Sequence, residues 1–437
     1  MTKSPLAASR RAFLGLAAGG AALTLGSAPA RAARVKTSAR IVILGAGAAG
    51  TAMANRLVAS LEGAQITLID ARAEHLYQPG FTLIAAGLKP AAYSRSRTAD
   101  WLPREATLIA EAAAEIDPDA RQVTTDRGRK VPYDFLIVAT GLTLDWDAVQ
   151  GFTPDLIGTN GIGAHYAGPA AAEATYRAMD AFAEKGGVAL FGRPATEMKC
   201  AGAPLKIAFL TEDHATRKGT RGRVEIHYLA PQKALFSVPI VAEKVRMLFD
   251  ERGIAAHYGH TLKSIDPGAR IATYTTPEGE VQMGYDYINV IPPMRAPAAV
   301  RNSPLPWADK WTDQGWVEVD QKTLRHIRYP DIFAVGDVAG VPKGKTAASV
   351  KWQVPVAQAH LIATLQGREA TEVYEGYTSC PLITRVGRAM LVEFDYNNNL
   401  TPSFPGIISP LEELWISWLM KEVALKATYN AMLRGKA

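Results

Sequence analysis

Arg40-Ile41-Val42-Ile43-Leu44-Gly45-Ala46-Gly47-Ala48-Ala49-Gly50 is the stretch that decides the fold. Four apolar residues after Arg40 run straight into Gly-x-Gly-x-x-Gly, and the pattern then turns helical from Thr51 to Leu61. A second apolar run, Gln65 to Ile69, stops at an acid, Asp70. Strand, glycines, helix, strand and carboxylate in this order spell a dinucleotide-binding βαβ unit. Gly45 permits the tight turn, Gly47 lets backbone approach a pyrophosphate, and Gly50 lets helix and strand pack closely. Free N–H groups at the helix start favour phosphate. Asp70 is placed to hold ribose hydroxyls.

Two later segments bear on which dinucleotide is bound. Tyr133 to Gly141 reads as a strand ending in Ala139-Thr140-Gly141, and Tyr329 to Asp337 as one ending in Gly336-Asp337. Both resemble secondary motifs of flavoproteins built from two dinucleotide domains, in which the late aspartate binds the ribityl and pyrophosphate region. That resemblance implies FAD, held without a covalent bond. The expected contacts are Gly45, Gly47, Ala49, Gly50, Asp70, Gln78, Thr140, Gly141, Gly336, Asp337, Lys345, Thr346 and Ala347. In the loop around Gln78, His75 reads as a satisfied polar residue. Lys345-Thr346-Ala347 should open a helix aimed at the flavin, with Lys345 stabilising negative charge on its reduced form.

The second domain begins in the same way and then departs. Gly187 to Gly192 looks like another nucleotide-binding strand, but Arg193-Pro194-Ala195-Thr196-Glu197-Met198-Lys199-Cys200 follows it. The glycines that would admit a nicotinamide dinucleotide are missing, so electrons are expected from another donor. A helix is expected to start near Pro204. Cys200 would then sit by a helix N-terminus with Lys199 and Lys206 at hand, which favours the thiolate. The structural alternative is a buried thiol or half of a stabilising disulfide. His214, His227, His257 and His260 lack metal-site spacing, and no metal is expected.

With 437 residues, 48% hydrophobic and 21% charged, the chain is long enough for more than one globular core. Of the formal charge of +6, four units come from Lys3, Arg10, Arg11 and Arg31 in a leading segment without acids. The remainder is too weakly basic for nucleic acid, which is rejected as a partner. Ser9-Arg10-Arg11-Ala12-Phe13-Leu14, an apolar run to Leu25 and small residues at Ala28-Pro29-Ala30 read as a twin-arginine export signal. The expected destination is the bacterial periplasm, where two cysteines can stay bonded.

The other cysteine lies 180 residues on, in Tyr377-Thr378-Ser379-Cys380-Pro381-Leu382. Together with Lys199-Cys200-Ala201-Gly202-Ala203-Pro204, Tyr77-Gln78-Pro79, Lys345-Thr346-Ala347-Ala348 and Met432-Leu433-Arg434-Gly435, it closely resembles the sulfide:quinone oxidoreductases. The branch that includes the mitochondrial enzyme is the most similar. The resemblance implies that sulfide attacks a Cys200–Cys380 disulfide. Electrons then pass through FAD to quinone, and sulfane sulfur leaves to a small acceptor. Lys206, Lys345 and Lys421 join the two cysteines as catalytic candidates. The alternatives are the flavoprotein subunit of a flavocytochrome c sulfide dehydrogenase and, further off, a type II NADH dehydrogenase.

The tail supports the quinone half. Ser409-Pro410-Leu411-Glu412 resembles a capped helix start. The residues beyond it mix Leu414, Trp415, Trp418 and Val423 with Lys421, Lys426 and Arg434. Such a run is too charged to span a bilayer and suits a helical hairpin lying in the outer face of the inner membrane. The expected plan is α/β, in four parts. A signal occupies 1–32. A discontinuous FAD domain, pyridine nucleotide-disulfide oxidoreductase-like, covers 39–150 and 325–370. A second Rossmann-like domain without the NAD glycine loop covers 151–324. A C-terminal amphipathic helical, membrane-attaching region covers 371–437, and homo-oligomers are compatible with all of it.

Overall fold

The computed structural model describes residues 34–436, so the expected export signal lies outside them. Chain order gives β1 (Arg40–Leu44), α1 (Ala48–Ser60), β2 (Gln65–Ile69), β3 (Thr107–Ile109) and β4 (Phe135–Val138). These four strands are parallel, with β1 between β4 and β2, and Ile41 to Leu44 are fully buried. An unbroken apolar strand of this kind is what a parallel sheet covered on both faces requires. The helix begins three residues earlier than the sequence suggests, placing Gly50 in its first turn. There a Cβ would lie 1.8 Å from the carbonyl oxygen of Gly45, so only glycine fits.

Next come β5 (Ile162–Gly163), α2 (Pro169–Lys185), β6 (Gly187–Gly192), α3 (Ala203–Arg217), β7 (Val224–Ala230), α4 (Pro239–Arg252), β8 (Ile254–Tyr258) and β9 (Tyr287–Asn289). They form a second parallel sheet in the order β5-β9-β6-β7-β8. The chain then returns as β10 (Ile332–Ala334), which pairs with β4 and completes the first sheet. Helix α5 (Ala347–Leu365) follows, capped by the Thr346 hydroxyl accepting from Ser349 N. An antiparallel hairpin, β11 (Thr378–Arg385) and β12 (Arg388–Phe394), packs on α3. Register places Cys380 opposite Val392.

The C-terminal segment differs from expectation. Ser409 to Glu412 forms a turn, in which Glu412 N donates to the Ser409 carbonyl, and no capping box. Leu414 instead exchanges backbone hydrogen bonds with Ala389 beside β12, which holds the chain extended until Trp415. From there one continuous helix runs through Trp415–Leu419, a π-helical turn Met420–Ala424 and Leu425–Leu433. It is not a hairpin. Trp418, Lys421, Tyr429, Met432 and Leu433 are buried against the body, while Trp415 and Val423 remain 55% and 60% exposed. No helix among the described residues is long and apolar enough to cross a membrane.

Because Gly50 has no room for a methyl group, Gly50→Ala should cost at least about 1–3 kcal/mol, the usual penalty of overpacking. Denaturant unfolding of the purified variant checks this.

Candidate active site

The C-terminal ends of β1, β4 and β10 and the starts of α1, α3 and α5 converge on one cleft of ≈ 1490 Å³, solvent at its mouth included. Every site residue expected from the sequence except Gly45 and Gly50 lines it; those two form the turn and packing contact behind it. Loops at the carboxyl ends of parallel strands are where such folds bind ligands.

One wall is shaped for a dinucleotide. Gly47 faces open space, with only Arg72 Nη2 within 4 Å of where a Cβ would stand. The Thr140 hydroxyl is buried without a protein partner. Both observations fit a cofactor lying along this wall. Asp70 is not free for ribose alone. Its Oδ2 accepts from Ala46 N at 2.7 Å and from Arg72 Nη2 at 2.7 Å, which holds the glycine turn against the second strand. Burial raises its pKa, but the Arg72 contacts and the two backbone N–H groups outweigh it and hold the carboxyl below its ordinary range. Asp337, half-buried, has its carboxyl raised by desolvation and pulled back by Lys199 and Lys345.

Lys345 sits differently from expectation. Its ammonium donates to the carbonyls of Asp337 (2.6 Å) and Ala339 (3.1 Å) and lies 3.7 Å from the Trp316 ring centroid. It clamps the Gly336-Asp337 turn, and burial lowers its pKa to about 8. Gln78 Oε1 accepts from Lys199 Nζ at 2.6 Å. His75 is buried, bonded to Tyr429 OH at 2.8 Å.

The opposite wall carries the thiols. Helix α3 begins at Ala203, and the loop before it turns sharply at Cys200, whose φ is +47°. Cys200 N donates to the Lys345 carbonyl at 3.0 Å, and the Tyr166 hydroxyl reaches the carbonyls of Lys199 and Cys200 at 2.9 Å. Gly202 makes room for the second thiol, since a Cβ there would come within 2.3 Å of Cys380 Sγ. Both cysteines are free thiols in this structure, close enough to share a hydrogen bond.

Their electrostatics are unequal. The neighbouring Cys380 thiol, Lys206 and Lys421 favour the Cys200 thiolate, so Cys200 falls well below an ordinary thiol despite burial. Cys380 is pushed well up by the neighbouring Cys200 and by burial. Lys206 Nζ lies 3.5 Å from Cys200 Sγ, and Lys421 Nζ donates to the Pro79 carbonyl at 2.7 Å. The π turn places Lys421 here, where burial brings its pKa down to about 7. Arg72, Tyr166, His165 and Tyr429 also reach the cleft. None belongs to a motif with fixed spacing, so local sequence carries no sign of them. No group of three or more His, Cys, Asp or Glu side chains among the described residues is arranged for a metal ion.

In reduced protein, Lys206→Met should raise the Cys200 pKa and slow its alkylation at neutral pH by about tenfold or more, the difference closing as the pH rises. Iodoacetamide labelling followed by peptide mass analysis measures it.

Residues 39–360 match the pyridine nucleotide-disulphide oxidoreductase family. The mitochondrial sulfide:quinone oxidoreductase of Dictyostelium discoideum is 33% identical over 404 residues, spanning 92% of this chain and 88% of that one. The mouse mitochondrial protein of the same name is also 33% identical, over 92% and 87%. The X-ray structure of the sulfide:quinone oxidoreductase of Aquifex aeolicus superposes with a TM-score of 0.74 at 20% identity, covering 91% of this chain and 92% of that one. With a dithiol facing a dinucleotide cleft and relatives of this closeness along nearly its whole length, the chain belongs to the sulfide:quinone oxidoreductase family.

Proposed function

We propose that this protein is an FAD-dependent sulfide:quinone oxidoreductase of the periplasm, bound peripherally to the membrane. The observation that carries the reading is the thiol pair standing beside the dinucleotide wall, where a nicotinamide loop would otherwise be.

In the oxidised form Cys200 and Cys380 are bonded to each other. Hydrosulfide attacks one sulfur and the S–S bond breaks. One cysteine keeps the incoming atom as a persulfide, and the other leaves as a thiolate carrying the electron pair. Lys206, the α3 N-terminus and Lys421 stabilise that thiolate. FAD, when bound, supplies the two-electron acceptor that passes reducing equivalents to quinone. Gly47, Thr140, Gly336 and the α5 start would hold it, while Lys199 and Gln78 brace the thiol side. Lys421, poised near neutrality, suits proton delivery at the quinone. A small nucleophile then removes the sulfane sulfur.

Both cysteines are committed to sulfur chemistry, which leaves none to tether FAD. This supports a non-covalent cofactor and separates the reading from a flavocytochrome c subunit, whose FAD is tied to a further cysteine. The exposed Trp415, Val423 and Ile407, the last 81% exposed, support attachment to a lipid surface. Ser9 to Leu14 supports twin-arginine export.

Anaerobic sulfide titration of the purified protein should bleach the flavin, and a soluble quinone should restore it. Cys200→Ser and Cys380→Ser should each lose at least about 100-fold in sulfide-dependent quinone reduction with FAD still bound. Bleaching by NADH and not by sulfide, or FAD left on acid-precipitated protein, defeats the assignment.

A further inference from the structure

The geometry points to His165 as the base that takes a proton from incoming hydrogen sulfide, a role that rests on the sulfide reading above. His165 follows β5, is 1% exposed and lines the cleft beside Cys200, Cys380, Lys206 and Lys421. Its Nδ1 lies 3.2 Å from Asn289 Oδ1 at the end of β9. With the Asn289 oxygen turned to it, Nδ1 takes the ring proton in this proposal and Nε2 keeps its lone pair. That Nε2 is buried with no hydrogen-bond partner among the described residues. Buried ring nitrogens are ordinarily paired, and an orphan beside a reaction centre asks for a ligand.

The other groups on this side of the cleft are already engaged. Lys206 donates to Cys200, Lys199 to Gln78 and Lys421 to the Pro79 carbonyl. The Tyr166 ring packs 4.7 Å from His165, but its hydroxyl is occupied by the carbonyls of Lys199 and Cys200. Of the carboxylates of the cleft, Asp70 and Asp337 follow strands of the first sheet, and Glu74 lies in a two-stranded ribbon opposite Arg97. Burial, with Lys206 and Lys199 adding to it against the Asn289 bond, lowers the His165 pKa to about 4, which keeps the ring neutral and its lone pair available.

Hydrogen sulfide that arrives uncharged must give up a proton as it attacks, because the deprotonated sulfur is the nucleophile. The step then balances: hydrogen sulfide, the Cys200–Cys380 disulfide and neutral imidazole give a cysteine persulfide, a cysteine thiolate and imidazolium. One S–S bond breaks and another forms, the electron pair stays on the departing thiolate, and the S–H proton moves to Nε2. The positive ring is left among cations, so it releases its proton readily once the thiolate is oxidised.

The test uses the FAD-loaded enzyme and stopped-flow reduction of its flavin by sulfide at about pH 6 and about pH 9, on either side of the first ionisation of hydrogen sulfide. Wild type should react at similar rates at both. His165→Gln should match wild type within about twofold at the higher pH, where hydrosulfide needs no base, and fall at least about tenfold behind at the lower. Equal rates, or an equal loss at both pH values as a packing defect would give, overturn the role. Asn289→Leu frees Nδ1 and should reproduce a smaller acid-side loss, which keeps the question open to test if His165→Gln fails to fold. Nitrogen-15 NMR of the wild-type ring should show the Nδ1-protonated tautomer, and an Nε2-protonated ring overturns the proposal without reference to activity. Wild-type flavin that sulfide leaves oxidised at both pH values would instead bring down the sulfide reading itself.

Discussion

The hydrogen bond from Cys200 N to the Lys345 carbonyl is the contact on which the site depends. It joins a loop leaving the second sheet to the residue that opens α5 behind the first. Cys200 is not glycine, yet it is held at φ +47°, a conformation that costs a side-chain-bearing residue about 1–3 kcal/mol. The Lys345 carbonyl and the Tyr166 hydroxyl over-determine that turn. The strain fixes the thiol between a helix N-terminus and a partner cysteine, where free rotation would take it elsewhere.

From this contact the electrostatics follow. A loop pinned in place leaves Lys206, one and a half turns further on and itself buried, facing the thiol it supports. Lysines are rarely buried unless paired, and here the cysteine pair is the partner. The asymmetry between the two thiols follows from their closeness to each other and from Lys206, whose ammonium donates to Cys200. A dithiol in which one sulfur ionises easily and the other holds its proton is suited to accepting and releasing sulfur in turn.

The tail helix serves both the site and the surface. Its buried face closes the cleft with Lys421 and Tyr429, and its other face leaves Trp415 and Val423 in solvent. The π turn at Met420–Ala424 inserts the extra residue that lets one helix do both, and such turns recur at functional positions. The sequence pattern showed the apolar and basic composition correctly but not how it would be shared. An amphipathic helix reads the same whether its apolar stripe meets protein or lipid, and only packing divides the stripe.

The nucleotide half was legible in the sequence, because strand, glycines, helix and acid follow one another within a single βαβ unit and each is a local steric requirement. Gly50 shows the rule at its plainest: the collision that forbids a side chain there is with Gly45, five residues away. The missing glycines after Gly192 were legible for the same reason. The thiol half was not. Cys200 and Cys380 stand 180 residues apart, and from the residues alone they were open to a structural reading. Their meeting depends on a hairpin packing against α3 and on the absence of a side chain at Gly202. Asp70 taking Arg72, Lys345 turning its ammonium to carbonyls, and His165 lying orphaned beside the thiols were likewise settled only when the two sheets came together. Periodicity and spacing report what a chain does over one or two turns; which distant side chains share a dielectric and a hydrogen bond is decided by how its layers pack.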